Sequence, residues 1–214
     1  MSSVKGLLLW GALSLSPVAA QVPEAVQYRL SFASAQNHYV DVQAVIPSAG
    51  QAEVEVFMPV WTPGSYMVRE YSRSVEGMQA TTADGKACPL QKTRKNRWLV
   101  STQGSPSITL SYKVYCREMT VRNCWVEADF AMLNGAQLFV TPVRDWQRPY
   151  QVEVQLPLGW SRVETGLAPA GPNRFSARDF DELIDSPLLL GTPSVYEFRV
   201  NGVSHRLVNQ GEEG

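Results

Sequence analysis

Few residues of this 214-residue chain carry side chains that could drive a reaction. Two are histidines, His38 and His205, and three are cysteines, Cys88, Cys116 and Cys124, with no clustering of either type. A zinc site needs three or four such donors converging on one ion, so a self-contained zinc centre is nearly excluded. A catalytic thiol needs a base beside it, and neither histidine sits in a partner motif for any of the cysteines. Glu127 and Asp129 share a face if their segment is extended, which is the arrangement a carboxylate pair for hydrolysis would use. Alternate carboxylates on a strand are more often solvated or paired with arginine, and Arg117 and Arg122 lie close by. The chain has no H-E-x-x-H, no G-x-S-x-G, no P-loop and no G-x-G-x-x-G.

Three stretches depart from the surrounding pattern. Residues 58–71 (MPVWTPGSYMVREY) combine two prolines, a glycine and large side chains, which marks an ordered turn. Its candidate contact residues are Trp61, Pro63, Gly64, Tyr66, Arg69 and Glu70, either as a wall for a ligand or partner or as a packed corner between sheets. Residues 117–130 (REMTVRNCWVEADF) offer Arg117, Glu118 and Trp125 for the same role, with Arg117, Glu118, Arg122, Glu127 and Asp129 as a charge network on a sheet edge. Residues 133–142 (LNGAQLFVTP) read as a tight turn at Asn134-Gly135 followed by a strand and a proline stop. Whether Asn134 or Gln137 presents its amide to a ligand is left open by local sequence. Cys116 and Cys124 flank a segment that could turn back on itself, so they could pair as a hairpin-type disulfide; three buried thiols is the other reading.

The elements that must position these residues are strands. Alternation of period two runs through 27–32, 53–58, 107–115 and 151–156, and less clearly through 39–45, 75–81, 97–101 and 137–141. Tyr196, Phe198 and Val200 alternate too, and Asn201-Gly202 then turns the chain into a strand over 203–208, a strong hairpin signal. Helical signals reduce to one short turn over 179–184, stopped by Ser186-Pro187. The sequence therefore predicts an all-β fold, an antiparallel sandwich or twisted, saddle-like pair of sheets. A composition of 44% hydrophobic and 18% charged residues excludes disorder, and a net charge of -1 gives no reason to expect nucleic acid as a partner.

The first twenty residues read as a secretory signal. Lys5 precedes the apolar run 6–15, and small residues before Gln21 place cleavage after Ala20. Ten apolar residues fall far short of the roughly 20 that span a bilayer, so the mature protein is expected to be exported, periplasmic or extracellular, and free of the membrane. Residues 21–214 then form one domain.

Taken together, HYVDVQAVIP, MPVWTPGSYMVREY, KNRW, VYCREMTVRNCWVEADFAMLNGA, DFDELIDSPLLLG and HRLVNQGEEG resemble the N-terminal domain of glycyl aminopeptidases, zinc metallopeptidases of family M sixty-one. The resemblance runs from about Tyr28 to Gly214, in order and with similar spacing. One departure is Asn123-Cys124, where a threonine-asparagine pair is expected; Cys116 is also particular to this sequence, so the family says nothing about a disulfide. The resemblance implies a β domain like that of the gluzincin aminopeptidases, which packs on a thermolysin-like catalytic domain and helps close its cleft. It implies an enzyme removing N-terminal glycine or alanine, often with a PDZ domain. The zinc and the H-E-x-x-H helix belong to a domain absent from this sequence, so no catalytic residue and no metal ligand carries over. The expected partner is that catalytic domain, encoded downstream or separately, and the chain alone is expected to be inactive. A free-standing module that binds peptides or proteins by strand addition is the alternative. A domain made to bury one face should expose an apolar patch, expected to include Trp61, Tyr66 or Trp125.

Overall fold

The computed structural model describes residues 24–62 and 65–212. The signal-peptide expectation for 1–20, and the candidates Pro63 and Gly64, lie outside the described residues. In chain order the first strands are β1 (Val26–Ser31), β2 (Tyr39–Pro47), β3 (Glu53–Phe57), β4 (Val75–Thr82), β5 (Leu90–Arg94) and β6 (Arg97–Ser101). They are followed by β7 (Ser107–Tyr115), β8 (Trp125–Val126), β9 (Ala131–Leu133), helix α1 (Gly135–Leu138), β10 (Thr141–Pro142) and β11 (Tyr150–Val154). The last elements are β12 (Arg162–Thr165), β13 (Ala168–Gly171), β14 (Arg174–Ala177), helix α2 (Phe180–Asp185), β15 (Leu188–Gly191), β16 (Ser194–Val200) and β17 (Val203–Asn209).

One seven-stranded sheet, ordered β13-β14-β11-β1-β2-β7-β4, forms the broad layer. Its central strands alternate: Val40, Val42, Ala44 and Ile46 of β2 and Ile108, Leu110, Tyr112 and Val114 of β7 are buried. Asp41, Gln43, Ser111 and Lys113 point the other way, as a one-sided sheet requires. Two four-stranded sheets, β10-β3-β6-β5 and β12-β15-β9-β8, contribute Val54, Val56, Trp98, Leu133, Leu188 and Leu190 to the same core. β16 and β17 pair only with each other among the described residues. The all-β expectation holds, with one refinement: β1 and β11 run parallel, which the long connection between them permits.

The helices differ more from expectation. α2 forms where a helical turn was expected, capped by Asp179, whose carboxylate accepts from the Glu182 amide at 2.8 Å, while Glu182 accepts from the Arg178 amide at 2.7 Å. The strand expected over 137–141 is not formed. Asn134 instead caps α1, accepting from the Ala136 amide at 3.1 Å, and the chain resumes as β10 only at Thr141. An Asn-Gly pair suits an N-cap as well as a turn, and tertiary packing chose the cap. At Gly135 a Cβ would lie 2.8 Å from the Ile184 Cα and 2.9 Å from the Leu183 carbonyl, so α1 sits against the α2 backbone at a distance only glycine allows.

Candidate functional site

The 61–71 turn is closed by its own hydrogen bonds. The Trp61 indole N–H donates to the Ser65 carbonyl at 2.5 Å, and the Ser65 amide donates to the Thr62 carbonyl at 3.1 Å. The Arg69 amide reaches the Val60 carbonyl, and the Arg69 Nε donates to the Ser65 hydroxyl at 3.4 Å. At its foot, Asn96 anchors residue 58 through bonds to both the Met58 amide and carbonyl. Lys95 lies 2.6 Å from Glu70, and that bond holds the Glu70 carboxyl below the usual carboxylate range. The described residues of this bracket carry apolar side chains into solvent: Trp61 is 51% exposed and Tyr66 fully exposed, with Met67 and Val68 beside them.

The 117–135 stretch meets this bracket. The Tyr71 hydroxyl donates to the Arg122 carbonyl at 2.9 Å, and Arg73 pairs with Glu118 at 3.0 Å. Glu118 also accepts from the Asn123 side chain, so it joins the two stretches; the ion pair itself is exposed and contributes at most about 1 kcal/mol. Arg117 bridges to Trp125 through the backbone, turning 117–125 into a small excursion that exposes Met119 and Val121. Gln137, nearly buried, holds its base: its carbonyl oxygen accepts from the Cys124 amide at 2.7 Å, and its amide nitrogen reaches the Tyr115 carbonyl and the Ser74 hydroxyl. Asn134 completes the set by donating to the Val121 carbonyl at 3.2 Å while capping α1. Both amides are therefore occupied in holding the surface rather than presented to a ligand. Tyr71 is a structural keystone that sequence pattern alone did not single out, and Gln137, named there only as a possible ligand amide, is a second, because nothing local distinguishes a buried amide from a solvated one.

Trp61 and Tyr66 are exposed as expected of a docking face, whereas Trp125 is half-buried beside His38, with its indole N–H buried and without an acceptor among the described residues. Of the charge network expected on a sheet edge, Glu118 pairs with Arg73, which lies outside that set. Glu127 and Asp129 flank the turn between β8 and β9, closed by the Glu127 amide on the Phe130 carbonyl at 3.0 Å, so they do not alternate along a strand. Nor is the Cys116–Cys124 disulfide formed: both are free thiols, fully buried and within hydrogen-bonding reach of each other, and Cys88 is a third. Burial and the Cys124 thiol push the Cys116 thiol well above its ordinary range.

Zinc does not fit these residues. Among the described residues no three His, Cys, Asp or Glu side chains converge. His38 commits Nδ1 to the Val126 carbonyl at 2.6 Å, and His205 stacks on Phe198 in the β16–β17 hairpin. A groove of about 700 Å³ opens elsewhere, lined by Glu53, Glu55, Arg144, Asp145 and Arg148, and none of the candidates above lines it.

The family model described as the Peptidase M61 N-terminal domain matches residues 27–192. The chain belongs to this family. A crystal structure of an aminopeptidase N family protein from Idiomarina loihiensis resembles the M61 N-terminal domain described here with a TM-score of 0.80 and 27% identity over 87% of this chain. This chain spans only 32% of that protein. Native yeast LTA4 hydrolase is a distant match, with a TM-score of 0.40 and 13% identity over 80% of this chain and 29% of that one. A comparison with curated proteins gives no match. The M61 N-terminal domain is thus a peptidase N-terminal domain whose turn 61–71 and stretch 117–135 form one connected surface.

Proposed function

We propose that this chain is the non-catalytic β domain of an exported zinc aminopeptidase that removes N-terminal glycine or alanine from peptides. Its role is to pack on the peptidase domain and wall off the cleft there, through Trp61, Tyr66, Met67 and Val68 on one side and Arg117 and Glu118 on the other. The observation that carries this reading is the bracket itself. A turn locked by its own hydrogen bonds, tied by Tyr71 to the neighbouring stretch, holds large apolar side chains in water, and monomers rarely keep such a patch without a use for it. The zinc, its ligands and the catalytic carboxylate then belong to the partner domain, and the β domain supplies shape and exclusion of water.

Export is part of the same proposal, and amino-terminal sequencing of the secreted product should begin at Gln21. The purified 214-residue chain should release no product from glycyl- or alanyl-p-nitroanilide. Chelator-sensitive hydrolysis by this chain alone would overturn the assignment. In a chain extended through its downstream reading frame, Trp61→Ser with Tyr66→Ser should lower kcat/KM about tenfold or more. In the 214-residue chain Tyr66→Ser alone should move the melting temperature by no more than about 2 °C, since that side chain is solvated in the domain itself.

A further inference from the structure

The β16–β17 hairpin lies beyond the family match, which ends at residue 192, and it is built differently from the rest. Its register pairs Tyr196 with Leu207, Phe198 with His205 and Val200 with Val203, so these six side chains share one face. Asn201 and Gly202 both take positive φ, the tight turn that suits such a hairpin. The opposite face looks back at the domain: Arg206 meets Glu164 at 2.7 Å and donates to the Thr165 carbonyl at 3.3 Å, and Val195 and Val208 are half-buried. The joint is fixed as well. Gly191 has φ +143, and a Cβ there would come within 2.9 Å of the Phe130 Cβ and 3.0 Å of the Asp129 carbonyl.

The hairpin is therefore held at its base with its apolar face outward. Tyr196, Phe198, Val200, Val203 and Leu207 are each 43–60% exposed. Together they leave on the order of 500 Å² uncovered, near the upper end for a monomer. A two-stranded hairpin is marginal in water without a layer to cover it. Two copies meeting through this face would bury roughly 1,000 Å² in total, below the roughly 1,200 Å² at which stable association between separate chains begins. A covalently attached layer needs no such area, because its effective concentration is already high. The Idiomarina loihiensis relative has about two-thirds of its chain outside the part this chain spans, enough to supply that layer.

We infer that the hairpin is the docking surface for the polypeptide that follows this domain in longer proteins of this kind, and that its Tyr196–Phe198–Leu207 face is covered by that polypeptide. This rests on the proposed function, and the two can fail separately. The test is hydrogen exchange on the 214-residue chain and on the same chain extended through its downstream reading frame, with glycyl hydrolysis measured in parallel. In the 214-residue chain the amides of β16 and β17 should exchange at least about a hundredfold faster than those of β2 and β7. Phe198→Asp and Leu207→Asp should leave its melting temperature within about 2 °C. In the extended chain the hairpin amides should slow at least a hundredfold, and either substitution should undo that protection. Protection without glycyl hydrolysis would sink the functional reading and leave the docking inference standing. Hydrolysis with a hairpin that exchanges as fast as before would do the reverse. A dimer of the 214-residue chain dispersed by Phe198→Asp would assign the face to a second copy and overturn the inference, as would a reading frame that adds no folded body.

Discussion

Three buried phenols should make this domain unfold in alkali well before its backbone would. Tyr28 donates to the Val140 carbonyl at 2.9 Å and Tyr112 to the Leu138 carbonyl at 2.9 Å, while the Val140 amide donates to the Tyr112 oxygen at 3.2 Å. Tyr150 donates to the Trp146 carbonyl and shares a 2.8 Å bond with Thr141. Together they fasten residues 138–141, the segment that leaves α1 and so fixes the Asn134–Gln137 corner of the candidate surface. Burial pushes all three phenols up: Tyr28 and Tyr112 well beyond the ordinary value, Tyr150 to about 12. A raised phenol stabilises the fold fully below the unfolded value near 10 and loses that contribution as pH climbs toward the folded one. At pH 11 an unfolded tyrosine has gained about 1.4 kcal/mol by ionising, and the folded phenols have gained almost nothing, so three of them remove about 4 kcal/mol. For a domain of this size that lowers the melting temperature by roughly 8–16 °C between pH 9 and pH 11. Tyr112→Phe should remove about a third of this pH dependence, while costing about 1–3 kcal/mol at pH 8 for the buried partners it strands. The assay is tyrosinate absorbance at 295 nm alongside far-ultraviolet ellipticity. These three tyrosines should ionise only as ellipticity is lost, and Tyr71, whose phenol burial also raises, should ionise late as well. Ionisation of all eight near pH 10 with the fold intact would refute the packing described here.

Two further outcomes follow from the same packing. Gly135→Ala drives a methyl into the α2 backbone at Leu183 and Ile184, so it should destabilise by about 1–3 kcal/mol in denaturant titration; a change under about 0.5 kcal/mol would mean that the α1–α2 contact is looser than the geometry gives. The native chain at pH 8 should resist alkylation at all three cysteines, since they are buried and Cys88 and Cys116 are held protonated by burial, and denaturant without reductant should expose three thiols. Recovery of one thiol only would show that Cys116 and Cys124 had joined after all.

Much of the sheet framework could be read from alternation. β1, β3, β7 and β11 fall within a residue or two of the expected runs, and β2, β4 and β6 follow the weaker ones, because each buries one face and a period of two is the direct trace of that burial. The hairpin and its Asn-Gly turn were equally plain. Alternation misled at 137–141, where Gln137, Leu138, Phe139, Val140 and Thr141 are all buried. A run buried on every side carries no period, and the Asn134 cap then decides for helix. The short strands β8, β9 and β15 were not foreseen, being fragments of two to four residues whose pairing comes from distant segments.

The sequence by itself determined the fold class, the family and the position of the three unusual stretches, since composition, period and motif are local quantities. It also determined that His38 and His205 stand far apart in the chain, outside any H-E-x-x-H spacing. Only the tertiary structure decided that the stretches are neighbours, through Tyr71 on Arg122 and Arg73 on Glu118, that Gln137 is spent inside, and that Glu127 and Asp129 flank a turn. Which side chains remain in water is decided in the same way. Trp61 and Trp125 were both offered for the exposed face, and one stands half in solvent while the other packs beside His38 with its indole N–H buried, because burial depends on what folds over a position from far along the chain.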